Sequence, residues 1–74
     1  MSLVENIKKG DKYKIFYNRN NPNNRTIHIL VVLPEEEIML YKVWFKHKQY
    51  WSYQTESFYG FELLEREGYL TKVR

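Results

Sequence analysis

The sequence predicts a small, mostly β domain, and three observations carry that expectation. Apolar and polar residues alternate with a period of two in four separate segments between residues 12 and 55. That spacing puts successive side chains on opposite faces of a strand. A single stretch, residues 57–67, changes to helical spacing. The chain has 74 residues, enough to fill one core and not two. Residues 1–74 are therefore read as a single domain, with its ordered core at about 8–73.

The first strand is expected over residues 12–17, with Tyr13, Ile15 and Tyr17 on one face and a turn at Gly10-Asp11 before it. Residues 18–25, Asn-Arg-Asn-Asn-Pro-Asn-Asn-Arg, form a loop. Asn tolerates left-handed backbone angles and closes its own turns, and Pro donates nothing to a ladder. This loop reads as a hairpin tip, or as a binding loop carrying Arg19 and Arg25. Residues 26–33 are the second strand, with Ile27, Ile29, Val31 and Leu33 on one face. Leu30 and Val32 on the other face predict cover on both sides, and hence a central position. Pro34 and the triplet Glu35-Glu36-Glu37 end it in a solvated turn.

Residues 38–46 and 50–55 make the third and fourth strands, joined at His47-Lys48-Gln49. In residues 57–67, Phe58, Phe61 and Leu64 recur at helical spacing, Ser57 stands as N-cap, Gly68 as C-terminal stop, and Glu62 and Arg66 form an i,i+4 pair. Gly60 weakens the first turn, and residues 69–73 add a short last strand. Connections this short favour antiparallel neighbours. The expected architecture is a meander curled into an Src-homology-3-like open barrel. The alternative is a four-stranded antiparallel sheet with one helix packed on it.

Composition excludes several classes of function. With no cysteine, disulfides and thiolate metal sites are ruled out, and a reducing, cytoplasmic setting is expected. The longest apolar run, Ile29 to Leu33, is far below the roughly 18–20 residues that span a bilayer, so no membrane association is expected. Residues 1–5 lack the basic-then-apolar order of a signal peptide. The net charge of +3 is laid out in blocks: residues 1–25 are basic, Glu35-Glu36-Glu37 acidic, residues 42–48 basic and residues 56–67 acidic. Such blocks polarise a surface and bear on partners.

No catalytic constellation is visible. The serines (Ser2, Ser52, Ser57) sit in no glycine elbow, and Asp11 is the sole aspartate. Glu56, Glu62, Glu65 and Glu67 fall where a solvated helix face is expected. His28 in an apolar strand reads as a hydrogen-bonded edge of the core, and His47 as an exposed turn residue. Two histidines without a spacing motif do not make a zinc site, and Gly10, Gly60 and Gly68 are too scattered for a phosphate loop. No enzyme activity, metal, cofactor or small-molecule substrate is inferred.

One constellation stands above background: Lys42, Trp44 and Lys46 at alternate positions, with Lys48 and Tyr50 next around the hairpin. Lys12 and Lys14 with Phe16 repeat it on the first strand. Rings flanked by ammonium groups suit single-stranded nucleic acid, where bases stack on the ring and lysines meet phosphates. The competing explanation is structural. Lysines keep sheet surfaces soluble, and Trp44 lies beneath the helix if Phe58, Phe61 and Leu64 cover it.

The stretch from Val43 to Tyr53, followed by Phe58 through Gly68, resembles short uncharacterised barrel-type domain proteins of low-GC bacteria and their phages, over about residues 8–70. The resemblance implies a setting and carries no catalytic residues. The expected function is a non-enzymatic binding module contacting nucleic acid through Lys42, Trp44, Lys46, Lys48 and Tyr50, aided by Lys12 and Lys14. The alternative is a protein–protein adaptor or small inhibitor of mobile-element type, or a homodimer, using its aromatics or the acidic helix face at Glu62 and Glu65.

Overall fold

In a computed structural model, which describes residues 7–45 and 48–73, five strands form one antiparallel sheet. In chain order these are β1 (Lys12–Ile15), β2 (Arg25–Leu33), β3 (Ile38–Phe45) and β4 (Tyr50–Ser57), then helix α1 (Phe58–Arg66), then β5 (Leu70–Val73). The strand order is β4-β3-β2-β1-β5. The mostly β class and the antiparallel meander stand as expected, and the sheet stays open, with β4 and β5 as its edges. The helix carries the chain from one edge back to the other, where β5 pairs with β1.

The core lies between one face of the sheet and α1. Tyr13 and Ile15 of β1, Ile27 and Ile29 of β2, and Met39, Tyr41 and Val43 of β3 are all buried and point to this side. Phe61 is the helix residue that fills the centre, fully buried, with its ring edge-on to Tyr13 at 5.4 Å between centroids. Phe58 and Leu64 pack at its margins, as their helical spacing implies. Because Phe61 reaches Tyr13, α1 crosses this face from the end of β4 toward β1 and β5.

The helix ends are set by local chemistry. Ser57 has extended backbone angles and its hydroxyl accepts from Gly60 N–H at 3.0 Å, which satisfies one orphan donor of the first turn. Phe58 N–H donates to the Glu37 carbonyl at 2.8 Å, tying the β2–β3 turn to the helix start. At the other end Gly68 N–H donates to Glu65 O and Tyr69 N–H to Leu64 O, the paired bonds of a Schellman cap. Gly68 has φ +81°, a conformation open to glycine at no steric cost.

Two expectations need correction. Val31 and Leu33 do not share a face with Ile27 and Ile29. The register between β2 and β3 shifts between Ile29 and Val31, and a bulge of one residue reverses every side chain beyond it. Val32 therefore packs on the core, while Val31 and Leu33 are each 41% exposed. The strand is central because it is third in a five-stranded sheet, and no second layer among the described residues covers its other face. The expected end of β3 at Lys46 lies outside the described residues, as does His47.

Candidate nucleic-acid interface on the open sheet face

Pairing register fixes what the open face displays. Lys12 sits opposite His28, His28 opposite Lys42, and Lys42 opposite Tyr53. These four therefore form one row across β1 to β4. The next row toward the β3–β4 turn holds Lys14 opposite Thr26, and Trp44 opposite Trp51. All of these point away from α1, because their neighbours in sequence, Tyr13, Ile27, Tyr41 and Val43, are buried beneath it. Helix α1 does not cover Trp44, which is 40% exposed.

The rings and cations touch one another. Trp44 and Trp51 have centroids 5.4 Å apart at 58°. The Lys42 ammonium lies 4.4 Å from the centre of the Trp51 ring, within cation–π range. His28 meets the Trp51 ring edge-on at 5.0 Å. It is a half-buried residue of the open face and not an edge of the core. Burial, then the Lys12 and Lys42 ammoniums, hold its imidazole below the usual 6.5. On β1, the Lys14 ammonium stands 5.5 Å from the Phe16 ring centre.

The Asn-rich loop borders this face. Asn24 bridges it, accepting from Tyr17 N–H at 2.8 Å and donating through Nδ2 to Asn18 O at 2.7 Å. Asn21 Oδ1 accepts from Asn23 N–H at 2.8 Å, and Arg25 Nη1 donates to the Asn23 carbonyl at 2.7 Å. Loop residues 21–24 wall a groove of about 920 Å³ that borders Lys14, Thr26, His28, Trp44 and Trp51 of the open face and also reaches Arg25, Phe45 and Gln54, which belong to the helix side. The groove is open and part apolar, and Lys14 lines it from the open face. Of the two arginines singled out in the loop, Arg25 lines it and Arg19 does not.

The carboxylates are segregated to one side of the sheet. No strand residue on the open face is a carboxylate: Glu56 points with Gln54 and Ser52 toward the helix side, where α1 adds Glu62 and Glu65. Asp11 accepts from Lys8 N–H at 3.0 Å and pairs with Lys72 at 3.6 Å at the margin of the core. No group of three or more His, Cys, Asp or Glu among the described residues converges as a metal site. Nor is any described helix long and apolar enough to cross a membrane.

Of the residues expected to share one interface, the structure brings together Lys12, Lys14, Lys42 and Trp44. Lys48 is exposed in the β3–β4 turn, and Lys46 lies outside the described residues. Tyr50 is a correction. It pairs with Phe45, with rings 5.6 Å apart, on the side of the sheet opposite Trp44. Trp51 and Tyr53 take the place expected for it. His28 and Thr26 complete the surface, on the side of Lys12 and Lys14 through the β1–β2 register, which periodicity does not reveal. Arg25 pairs with buried Ile15 and therefore points to the helix side, near Tyr41. No protein family, curated protein or solved structure matches this chain.

Proposed function

We propose that the protein is a non-enzymatic module that binds single-stranded nucleic acid on the open face of its sheet. The observation that carries this reading is the surface of Trp44, Trp51 and Tyr53 interleaved with Lys12, Lys14 and Lys42, with no carboxylate among the strand residues there. Bases stack on the exposed rings, and the lysines meet the phosphates. A duplex hides its base faces, so the single-stranded form is the better ligand for this surface.

The test is tryptophan fluorescence during titration with single- and double-stranded oligonucleotides of mixed sequence, at low and moderate salt. Trp44→Phe and Trp51→Phe variants assign the signal. The reading requires quenching by single strands that weakens steeply with salt, because bound lysines release counterions. The absence of any response at low salt sinks it.

A second reading rests on a different part of the same face. Val31 and Leu33, each 41% exposed, lie on the open face with Leu40 and Ile38 at the end far from Trp44. An aliphatic patch of this kind suits an adaptor or small inhibitor that docks on another protein. Loss of partner capture in a Val31→Lys, Leu33→Lys variant, with oligonucleotide binding unchanged, would favour it over the first.

A further inference from the structure

The two edges of the sheet differ in how they are guarded. Edge β5 has four residues, Leu70–Val73, and carries Lys72. Edge β4 has eight, Tyr50–Ser57, in unbroken register with β3. It contains no Pro, no Lys and no Arg, and its one charged residue, Glu56, bends back so that its carboxylate accepts from Ser57 N–H at 3.1 Å. Short length, lysines and prolines on the strand, and bulges are devices that keep an edge from pairing with another strand, and β4 has none of these within its span. Its inward-pointing charge is Glu56 near the C-terminal end, and Lys48 flanks it in the turn. No β4 residue is in the buried core.

From this contrast we infer that β4 is a homodimer interface, adding a second copy of this chain edge to edge in antiparallel register centred on Tyr53. The occupant is a second copy because the strand is self-complementary. Opposed residues in a continuous sheet share a face, so the two-fold axis passes through one residue and not between two. Centred on Tyr53, residues 50–56 pair throughout. Tyr53 meets the partner's Tyr53, Trp51 meets the partner's Thr55, Ser52 meets the partner's Gln54, and Tyr50 meets the partner's Glu56. No like charges oppose each other. A register centred on Gln54 would instead recruit Ser57, whose backbone N–H and hydroxyl are already committed to Glu56 and to the helix cap.

The pairing explains an otherwise costly exposure. Tyr53 is 65% exposed in the single chain, on an edge where its neighbour Trp51 is also 38% exposed. Cross-strand aromatic pairs stabilise antiparallel ladders. The result is a ten-stranded sheet whose two open faces lie on the same side, with a Trp44–Trp51 pair on each flank of the Tyr53 pair. This inference stands on the edge and not on the nucleic-acid reading, and its test contains no nucleic acid.

The experiment uses the absence of cysteine in the chain. Paired antiparallel positions have Cα atoms about 4.5–5.5 Å apart, within the range a disulfide spans. Tyr53→Cys is expected to form a disulfide-linked dimer readily under mild oxidation, and Thr71→Cys on β5 is expected not to. In parallel, sedimentation of the unmodified protein over a hundredfold concentration range is expected to show twice the chain mass. Thr55→Lys, with its fold checked by circular dichroism, is expected to raise the dimer dissociation constant at least tenfold. A monomer throughout that range overturns the inference, as does a dimer that Thr55→Lys leaves intact or equal crosslinking at positions 53 and 71.

Discussion

Trp44 and Trp51 stand directly opposite one another across the β3–β4 hairpin, with ring centroids 5.4 Å apart, and the Lys42 ammonium caps the outer ring at 4.4 Å. The hairpin thus holds two stacking surfaces and a cation in fixed relation. Trp51→Ala removes a ring and the seat of Lys42 together. It is expected to weaken single-strand binding by about 1–3 kcal/mol, the usual worth of one stacked base. Lys42→Ala keeps both rings, so it should weaken binding more uniformly and lower the salt slope by about 1. Fluorescence titrations at several salt concentrations distinguish the two signatures. Equal salt slopes for both variants would contradict the assigned roles.

His28 lies between Lys12 and Lys42 in the central row, and its imidazole titrates below 6.5 in the folded chain. Two effects of opposite sign follow. The unfolded chain takes up this proton at higher pH than the folded one, so stability falls as pH drops from 6.5 through the folded value. A bound polyanion favours the protonated ring, so affinity for single strands should rise over the same window. Melting curves and oligonucleotide titrations between about pH 5 and 7, a window fixed by the ordinary histidine value, check both. In His28→Gln both slopes should flatten over that window.

Much of this was legible in the chain before any coordinates. Period-two alternation placed four strands, and Ser57 and Gly68 marked the helix within a residue. Lys42 and Trp44 fall on a single face because strand geometry leaves no other choice. What escaped were properties that depend on register. The turn after Phe45 closes so that Phe45 meets Tyr50 and Trp44 meets Trp51. A turn longer or shorter by one residue would have put Tyr50 beside Trp44. The bulge after Ile29 is equally silent, since Ile27, Ile29, Val31 and Leu33 alternate without a break. Exposure of Trp44 depended on which face the helix chose, and the burial of Phe61 against Tyr13 decided it.

The Schellman cap makes a separate prediction. A methyl group added at Gly68 meets nothing within 4 Å, so space is no obstacle, but its φ of +81° is strained for any residue with a Cβ. Gly68→Ala should therefore cost about 1 kcal/mol. In a domain of this size that lowers Tm by roughly 4–8 °C. Gly68→Asn, which tolerates left-handed angles better, should recover part of it. Calorimetry of the three proteins measures the series, and an Ala variant as stable as the parent would remove the strain argument.

Phe61 tests how the helix holds the sheet. It is the only described residue of α1 in the buried core, fixed edge-on against Tyr13. Phe61→Ala leaves a cavity between the layers and is expected to cost about 3–5 kcal/mol. Native domains have a total margin of about 5–15 kcal/mol, so this variant should be partly unfolded at ambient temperature. Phe61→Leu keeps most of the volume and should fold, with a lower denaturant midpoint and an unchanged m-value. Tyr13 provides the internal check. Burial, then the nearby Asp11 carboxylate, pushes its phenol up to about 12, so the stability it confers is present below pH 10 and is lost as pH rises toward 12. Phe61→Leu should loosen that burial and shift the alkaline unfolding transition to lower pH. If the transition stays in place while the denaturant midpoint falls, the Tyr13 phenol is shielded by the sheet and not by the helix.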